Sequence, residues 1–429
     1  MIKKKFFVLL GLAELLYLSF YGLKALSLRL GVENLFFKDN RIFGLFILIF
    51  IALFFLYKST LKLVTEETSF KTLFICSIVI NFSFLFIWNL STDDFYTYIF
   101  RFRLLPKYGA NPYLVPYDAF PNDAFYSLIK TYWSRETTIH GPVFMLFGSL
   151  LSYLGGDSLF RNIYLFKLVF IALNISSGYL IYKITASVKS FFLYAFNPLV
   201  LFELSLNGHF DVLMIAILLG GLYLIAKRKT WLNQALGTIL LFVSILTKYM
   251  ILIVVPLYSL LALRKVAGVK DRIWFIITIM VGSLLVSVLA LYPFEERFEI
   301  FDRVSRIARA RLLGPSLGIS LVERILNFIF GGDNHWVARN INKSIFSAGY
   351  IFLGLKALLA RNLSFGRITF YAVVAYGLFF LTSLSLVQPW YVTSLITLFC
   401  VGIGFTKKLN PNHIYLVTIY GFLTYFVMR

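Results

Sequence analysis

Asp93 and Asp94 stand side by side in "NLSTDDFYTYIFRFR", residues 89–103, directly after an apolar run long enough to cross a bilayer. Such a pair can complement a helix dipole, with Ser91 or Thr92 as the N-cap, and it can also ligate a divalent cation. The helix predicted to follow divides its faces. Phe95, Ile99 and Phe102 share one, and Asp94, Tyr98 and Arg101 recur on the other at i, i+4 and i+7. A helix of that kind rests in the membrane interface rather than crossing it. It sets a carboxylate at the membrane surface with an arginine about two turns along.

Other polar residues interrupt apolar sequence in the same way. "YGANPYLVPYDAFPNDAFY" (108–126) brings Tyr113 and further aromatics, the kind of surface on which a sugar ring stacks, and "ETTIHGP" (136–142) adds His140. In "NPLVLFELSLNGHFDVLM" (197–214), Asn207, His209 and Asp211 break a span, where buried polar groups are expensive and tend to be functional. Lys248 lies between two apolar segments and is read as an anion binder, with snorkelling as the plain alternative. "YPFEERFEIFDRVSRIARARLLGP" (292–315) carries Arg303, Arg306, Arg309 and Arg311 at helical spacing, either a helix on lipid headgroups or a clamp for a lipid phosphate. "SLVQPWYVTSL" (385–395) places Gln388, Trp390 and Tyr391 at a helix start, where an aromatic belt is the ordinary role for tryptophan.

The elements that position these residues follow from composition. Of 429 residues 59% are hydrophobic and 14% charged, and the mean hydropathy is +0.82. No soluble core hides so much apolar surface, so the chain reads as a single all-α, polytopic transmembrane domain, residues 1–429. About 11–14 apolar segments reach spanning or half-spanning length. Two polar stretches, 91–140 and 292–340, read as larger extracytoplasmic loops with interfacial helices. The net charge of +21 is taken as cytoplasmic turns facing anionic lipid, not as a nucleic-acid surface. The N-terminal "MIKKKFF" reads as a retained first helix with its lysines inside. Cys76 and Cys400 both lie in apolar runs and support neither a disulfide framework nor a metal site.

Basic turns at Lys3–Lys5, Lys183/Lys189, 227–229, 264–272, Arg361/Arg367 and Lys407/Lys408 are assigned to the cytoplasm. The acids, His140, His209, Lys248, the 303–311 arginines and Gln388 then share the outer face. One segment resists this layout: if 141–155 and 160–182 both cross, Lys183 falls outside, so either 141–155 is re-entrant or the basic bias fails there.

The acid pair after an early span, "YGANPY", "NPLVLFELSLNGHFD", "TKY" and "QPWY" resemble the polytopic GT-C glycosyltransferases. In particular they resemble the polyprenol-phosphate-mannose-dependent mannosyltransferases of glycosyltransferase family 87, over about residues 70 to 406. "IHGP" departs from the "YPP" common in relatives, which bears on the acceptor and on His140. The resemblance implies a GT-C-like bundle and an inverting transfer of a sugar, mannose first, from a polyprenyl-phosphate donor to a glycolipid or polysaccharide acceptor. It makes Asp94 or Asp93 the general base. Because a glycosyl phosphate carries its own leaving group, the enzyme needs a base on one side of the anomeric carbon and cations on the other. Lys248, Arg303, Arg306, Arg309 and Arg101 are assigned to the donor phosphate. Asn207, His209, Asp211, His140, Tyr98, Tyr113, Gln388 and Trp390 are assigned to the substrates. No cofactor is required on this reading; metal-free catalysis is favoured, although the acid pair also suits a divalent cation. The expected setting is the lipid bilayer of a bacterial or archaeal plasma membrane, with the site extracytoplasmic. The alternative is a flippase or transporter of polyprenyl-linked lipid. It would want ionisable residues at mid-membrane and two related halves; Glu14, Lys167 and Glu203 lie in apolar segments, but no repeat is evident. A transferase built on a nucleophile or metal cluster would need histidines closer together than 140, 209, 335 and 413. A purely structural membrane protein would have no use for the convergent charges.

Overall fold

The computed structural model describes residues 4–29, 39–87, 89–90, 94–128, 135–294, 305, 316–384 and 387–428. Asp93, Arg303, Arg306, Arg309 and Arg311 lie outside the described residues. Seventeen helices and no strand occur among those described. In chain order they are α1 (Lys4–Arg29), α2 (Asn40–Leu61), α3 (Phe70–Ser83), α4 (Asp94–Tyr108), α5 (Pro142–Gly155) and α6 (Leu159–Thr185). Next come α7 (Val188–Ala195), α8 (Pro198–Leu206), α9 (Asp211–Lys227), α10 (Trp231–Thr247), α11 (Val255–Lys265) and α12 (Val269–Leu291). The last are α13 (Leu317–Phe330), α14 (His335–Leu359), α15 (Phe365–Thr382), α16 (Pro389–Ile403) and α17 (Pro411–Met428).

The chain is an all-α polytopic membrane protein. Among the described residues α1, α2, α6, α12 and α15 are long and apolar enough to cross a membrane. α8 and α9 together would make a sixth span, bent by 113° at their break. α5 and α10, the stretch Phe70–Phe86, and α16 are shorter apolar helices. Several of the segments expected from the sequence are therefore pieces of spans, cut where proline or polar residues end the helix. α12 fully buries only Phe275 and Ala290; it packs on α10, where Gly282 meets Ile239, and the rest of its apolar surface is exposed, as a lipid-facing helix requires.

Polar ties hold the interior together where water cannot compete. Asn174 of α6 donates to Asn81 of α3 (3.1 Å) and to Ser205 of α8 (2.8 Å), and Tyr194 of α7 donates to Asn174 (2.8 Å). Lys167, buried in α6, donates to the carbonyl of Ile87 just past α3, so this intramembrane lysine is satisfied by backbone. Phenylalanines fill the rest: Phe50 of α2 stacks on Phe422 of α17 at 4.2 Å, beside Phe46 and Phe202.

The basic turns gather at one end of the bundle. Glu66 accepts from Ser187 and from the Val188 N–H, both at 2.8 Å, and so caps α7. A methyl on Gly404 would meet Thr185, and one on Gly366 would meet the Phe405 carbonyl. Lys265 donates to the Ile225 carbonyl at 2.6 Å, and Arg264 to the carbonyls of Leu358 and Ala360. Thr247, at the far end of α10, instead meets Gly141, whose N–H it accepts at 3.3 Å.

That arrangement settles the course of 141–155. α6 is 27 residues long, roughly 40 Å, and ends among the basic turns, so its start lies at the opposite end. Gly155 packs on Asn162 near that start, and Gly141 packs on Leu246 and Thr247 at the same end. Both ends of α5 therefore lie toward the end opposite the basic turns, so α5 does not cross to them, and Lys183 keeps its place with the other basic turns.

An ionic clamp fixes the far end of α4. Arg103, buried, donates to Asp123 (3.1 Å), Asp157 (2.5 Å) and the Gly156 carbonyl (2.7 Å), and lies over the Phe125 ring. Lys107 and Tyr108 reach the same acids at 2.6 Å. Hydrogen bonds from Lys107 and Arg103 hold the Asp157 carboxyl down at about 2. Burial alone would raise Asp123, but the Tyr108 hydroxyl, the Phe125 N–H and Arg103 keep it below its usual range.

Two outcomes follow for the clamp. Arg103→Met should destabilise the protein by about 3 kcal/mol, the low end for stranding one partner of a buried pair, because Lys107 remains 3.4 Å from Asp123; thermal melting in detergent reads this. A depressed carboxylate contributes stability that is complete above its unfolded value, about 4, and is lost as pH falls through about 2. Melting temperature should decline across that window, and Asp157→Asn should flatten the decline.

Candidate functional site

The break between α8 and α9 organises one end of the bundle. Asn197 starts α8 by accepting the N–H groups of Leu199 (3.0 Å) and Val200 (3.3 Å), and Pro198 supplies a ready-made first helical residue. The helix then widens into a π-helical stretch, Leu201–Leu206, a departure that often marks functional positions. It ends in a turn in which Gly208 has φ +70°. A Cβ there would stand 2.8 Å from the Phe95 ring, so glycine is required both by the backbone and by the approach of α4.

Each residue of Asn207–Asp211 grips a different element. Asn207 Oδ1 accepts the Leu90 N–H at 3.1 Å and its carbonyl accepts from Asn89, which anchors the strand of chain leading into the acid pair. His209 is buried, stacks on Trp390 of α16 at 3.9 Å and 12°, and brings Nε2 within 3.0 Å of Glu203 Oε2. Phe210 stacks on Phe144 of α5 (4.2 Å) and meets Tyr98 of α4 edge-on (5.2 Å). Asp211 accepts from Lys248 Nζ at 2.6 Å.

α4 forms the opposite wall. Asp94 opens its first turn, half-buried, and accepts from the Tyr98 hydroxyl at 3.4 Å. Arg101, about 10 Å further along the axis, lies 3.4 Å from His140 Nε2 and over the Tyr117 ring at 5.0 Å. His140 is boxed by Tyr98, Phe144 and Phe210, and Tyr113, wholly buried, donates to its carbonyl at 2.8 Å. Gln388 stands at the N-cap position of α16 without a side-chain cap, and its buried Oε1 has no hydrogen-bond partner among the described residues.

Asp94, Tyr98, Arg101, His140, Asn207, His209, Asp211, Lys248 and Trp390 thus meet through these contacts around Phe210, at the end opposite the basic turns. Arg103, two residues beyond Arg101, turns away into the clamp. Lys248 is ion-paired and lies over the rings of Tyr391 (3.9 Å) and Phe210 (4.6 Å). At membrane level an ammonium gains more from a carboxylate and aromatic faces than from snorkelling alone. Phe144, Phe210, Tyr391 and Glu203 belong to this assembly but were not among the predicted site residues. Glu203 carried a signal, a lone acid four residues ahead of Asn207 inside an apolar run; the aromatics did not differ from their neighbours. No group of three or more His, Cys, Asp or Glu suited to a metal occurs among the described residues.

Chemically the site offers a carboxylate at one edge and a guanidinium, an ammonium and an imidazole at the other, lined by rings. The turn is what brings them together. Gly208→Ala should therefore loosen α4 and its following loop, seen as faster tryptic cleavage between α4 and α5; unchanged cleavage would mean that the turn does not hold α4.

No curated protein and no solved structure matches the chain. Residues 37–264, just over half of it and spanning α4, the 207–211 turn and Lys248, match the family described as Alpha-(1->6)-mannopyranosyltransferase, N-terminal domain. The chain belongs to this MptA_B family and is a membrane protein of the mannosyltransferase class.

Proposed function

We propose that the protein transfers a mannosyl group from a polyprenyl-phosphate donor to a glycolipid or polysaccharide acceptor, with inversion, at the extracytoplasmic face of a plasma membrane. The observation that carries the reading is the gathering of Asp94, Arg101, His140 and Lys248 around Phe210, at the end opposite the basic turns, in a chain of a mannosyltransferase family. Lysine- and arginine-rich turns favour the cytoplasm, which puts this end outside.

In the proposed reaction the acceptor oxygen forms a bond to the anomeric carbon as the bond from that carbon to the phosphate oxygen breaks. The acceptor proton passes to the carboxylate of Asp94 or Asp93. Polyprenyl phosphate leaves as an anion, held by Lys248 and Arg101 together with Arg303, Arg306 and Arg309 of the second loop. Lys248, ion-paired with Asp211, would bring its positive charge to the phosphate. His209, Asp211, Asn207, His140, Tyr98, Tyr113, Gln388 and Trp390 shape the substrate pocket, directly or through the groups they hold. The residue types present suffice for this chemistry without a metal, since the leaving group is already a phosphate.

Reconstitution in nanodiscs with a polyprenyl-phosphate mannose donor and a lipid extract of the source membrane tests the proposal by mass spectrometry of released polyprenyl phosphate. Release should require the extract. It should fall by roughly 10²–10⁴-fold in whichever of Asp93→Asn and Asp94→Asn removes the base. A folded protein that binds the lipid yet releases nothing from several donor sugars would contradict transfer and point to lipid translocation.

A further inference from the structure

Glu203 is wholly buried in α8 and touches neither wall of the site directly. Its Oε2 accepts from Asn207 Nδ2 at 3.5 Å and lies 3.0 Å from His209 Nε2 without hydrogen-bond geometry, while Oε1 and both ring nitrogens of His209 have no hydrogen-bond partner among the described residues. The π-helical stretch makes this possible. Its wide backbone lets the Phe202 carbonyl accept the Asn207 N–H (2.9 Å) and the Glu203 carbonyl accept the His209 N–H (3.0 Å), which folds the turn back over the acid. From there two lines run outward. Asn207 holds Asn89 and Leu90, and His209 lies flat on Trp390.

A carboxylate at this depth is a poor choice for stability alone. A leucine of similar volume would pack without desolvating a carboxyl group, and replacing such buried polar contacts by apolar packing is often neutral or stabilising. We infer that Glu203 is a positioning residue for the transfer step: through Asn207 it sets the segment that leads into the acid pair, and it stands against the imidazole of His209 where that ring lies on Trp390. The inference rests on the transfer reaction proposed above.

Steady-state kinetics on the reconstituted protein separate this role from binding. Glu203→Gln should lower kcat by about tenfold to a hundredfold, the usual size of a supporting-contact effect, with donor and acceptor KM within roughly twofold. Asn207→Asp keeps the acceptor for the Leu90 N–H but sets a second carboxylate against Glu203, and it should be the more damaging change. Adding Glu203→Gln to Asn207→Asp supplies an amide donor to that carboxylate and should restore activity by about tenfold over Asn207→Asp alone. A double variant no better than Asn207→Asp, or a Glu203→Gln protein with kcat unchanged or with only donor KM raised, would overturn the inference. Wild-type protein inactive with every donor would instead defeat the transfer reading on which it stands.

Discussion

An ammonium at membrane level must bring its counter-charge with it, and the rest of the site is arranged around how Lys248 does so. Its partner, Asp211, is fully buried and 2.6 Å away, and Nζ lies over the rings of Tyr391 (3.9 Å) and Phe210 (4.6 Å). Losing either partner would leave a stranded charge in a medium of low dielectric. The pair joins the end of α10 to the start of α9. Because α9 can begin there only if the chain has already turned, the ion pair and the 113° break between α8 and α9 depend on one another.

The turn then serves as a hub. Within five residues it anchors the approach to α4, packs on α5, stacks on α16 and pairs with the chain after α10. Arg103 and its acids hold the other end of α4, so that helix is fixed at both ends while Asp94 and Arg101 face the hub between them. A lipid-linked substrate would meet a rigid frame of charges, as catalysis by preorganised electrostatics requires.

Much of this layout was legible in the sequence because membrane solvation is a strict rule. Asn207, His209 and Asp211 could not sit in an apolar run without partners, and the basic turns reported the opposite end. What stayed hidden were partnerships between residues far apart in sequence. Nothing in "TKY" tells that Lys248 meets Asp211, or that Asn207 serves Asn89 and Leu90 across more than a hundred residues. The two arginines of α4 are separated by one residue and look alike, yet one faces the site and the other the clamp. The path of α5 was undecidable from hydropathy, since fourteen apolar residues describe a short span and a returning helix equally well. Phe210 is invisible among 47 phenylalanines, although it meets Tyr98, His140, Phe144 and Lys248.

The most direct test is a structure of the nanodisc-embedded protein with a non-transferable polyprenyl phosphonate sugar. The phosphonate should lie beside Lys248 and Arg101, with the anomeric carbon between those cations and the Asp94 carboxylate at the start of α4. A head group seated among the basic turns, or with its sugar directed away from Asp94, would contradict it.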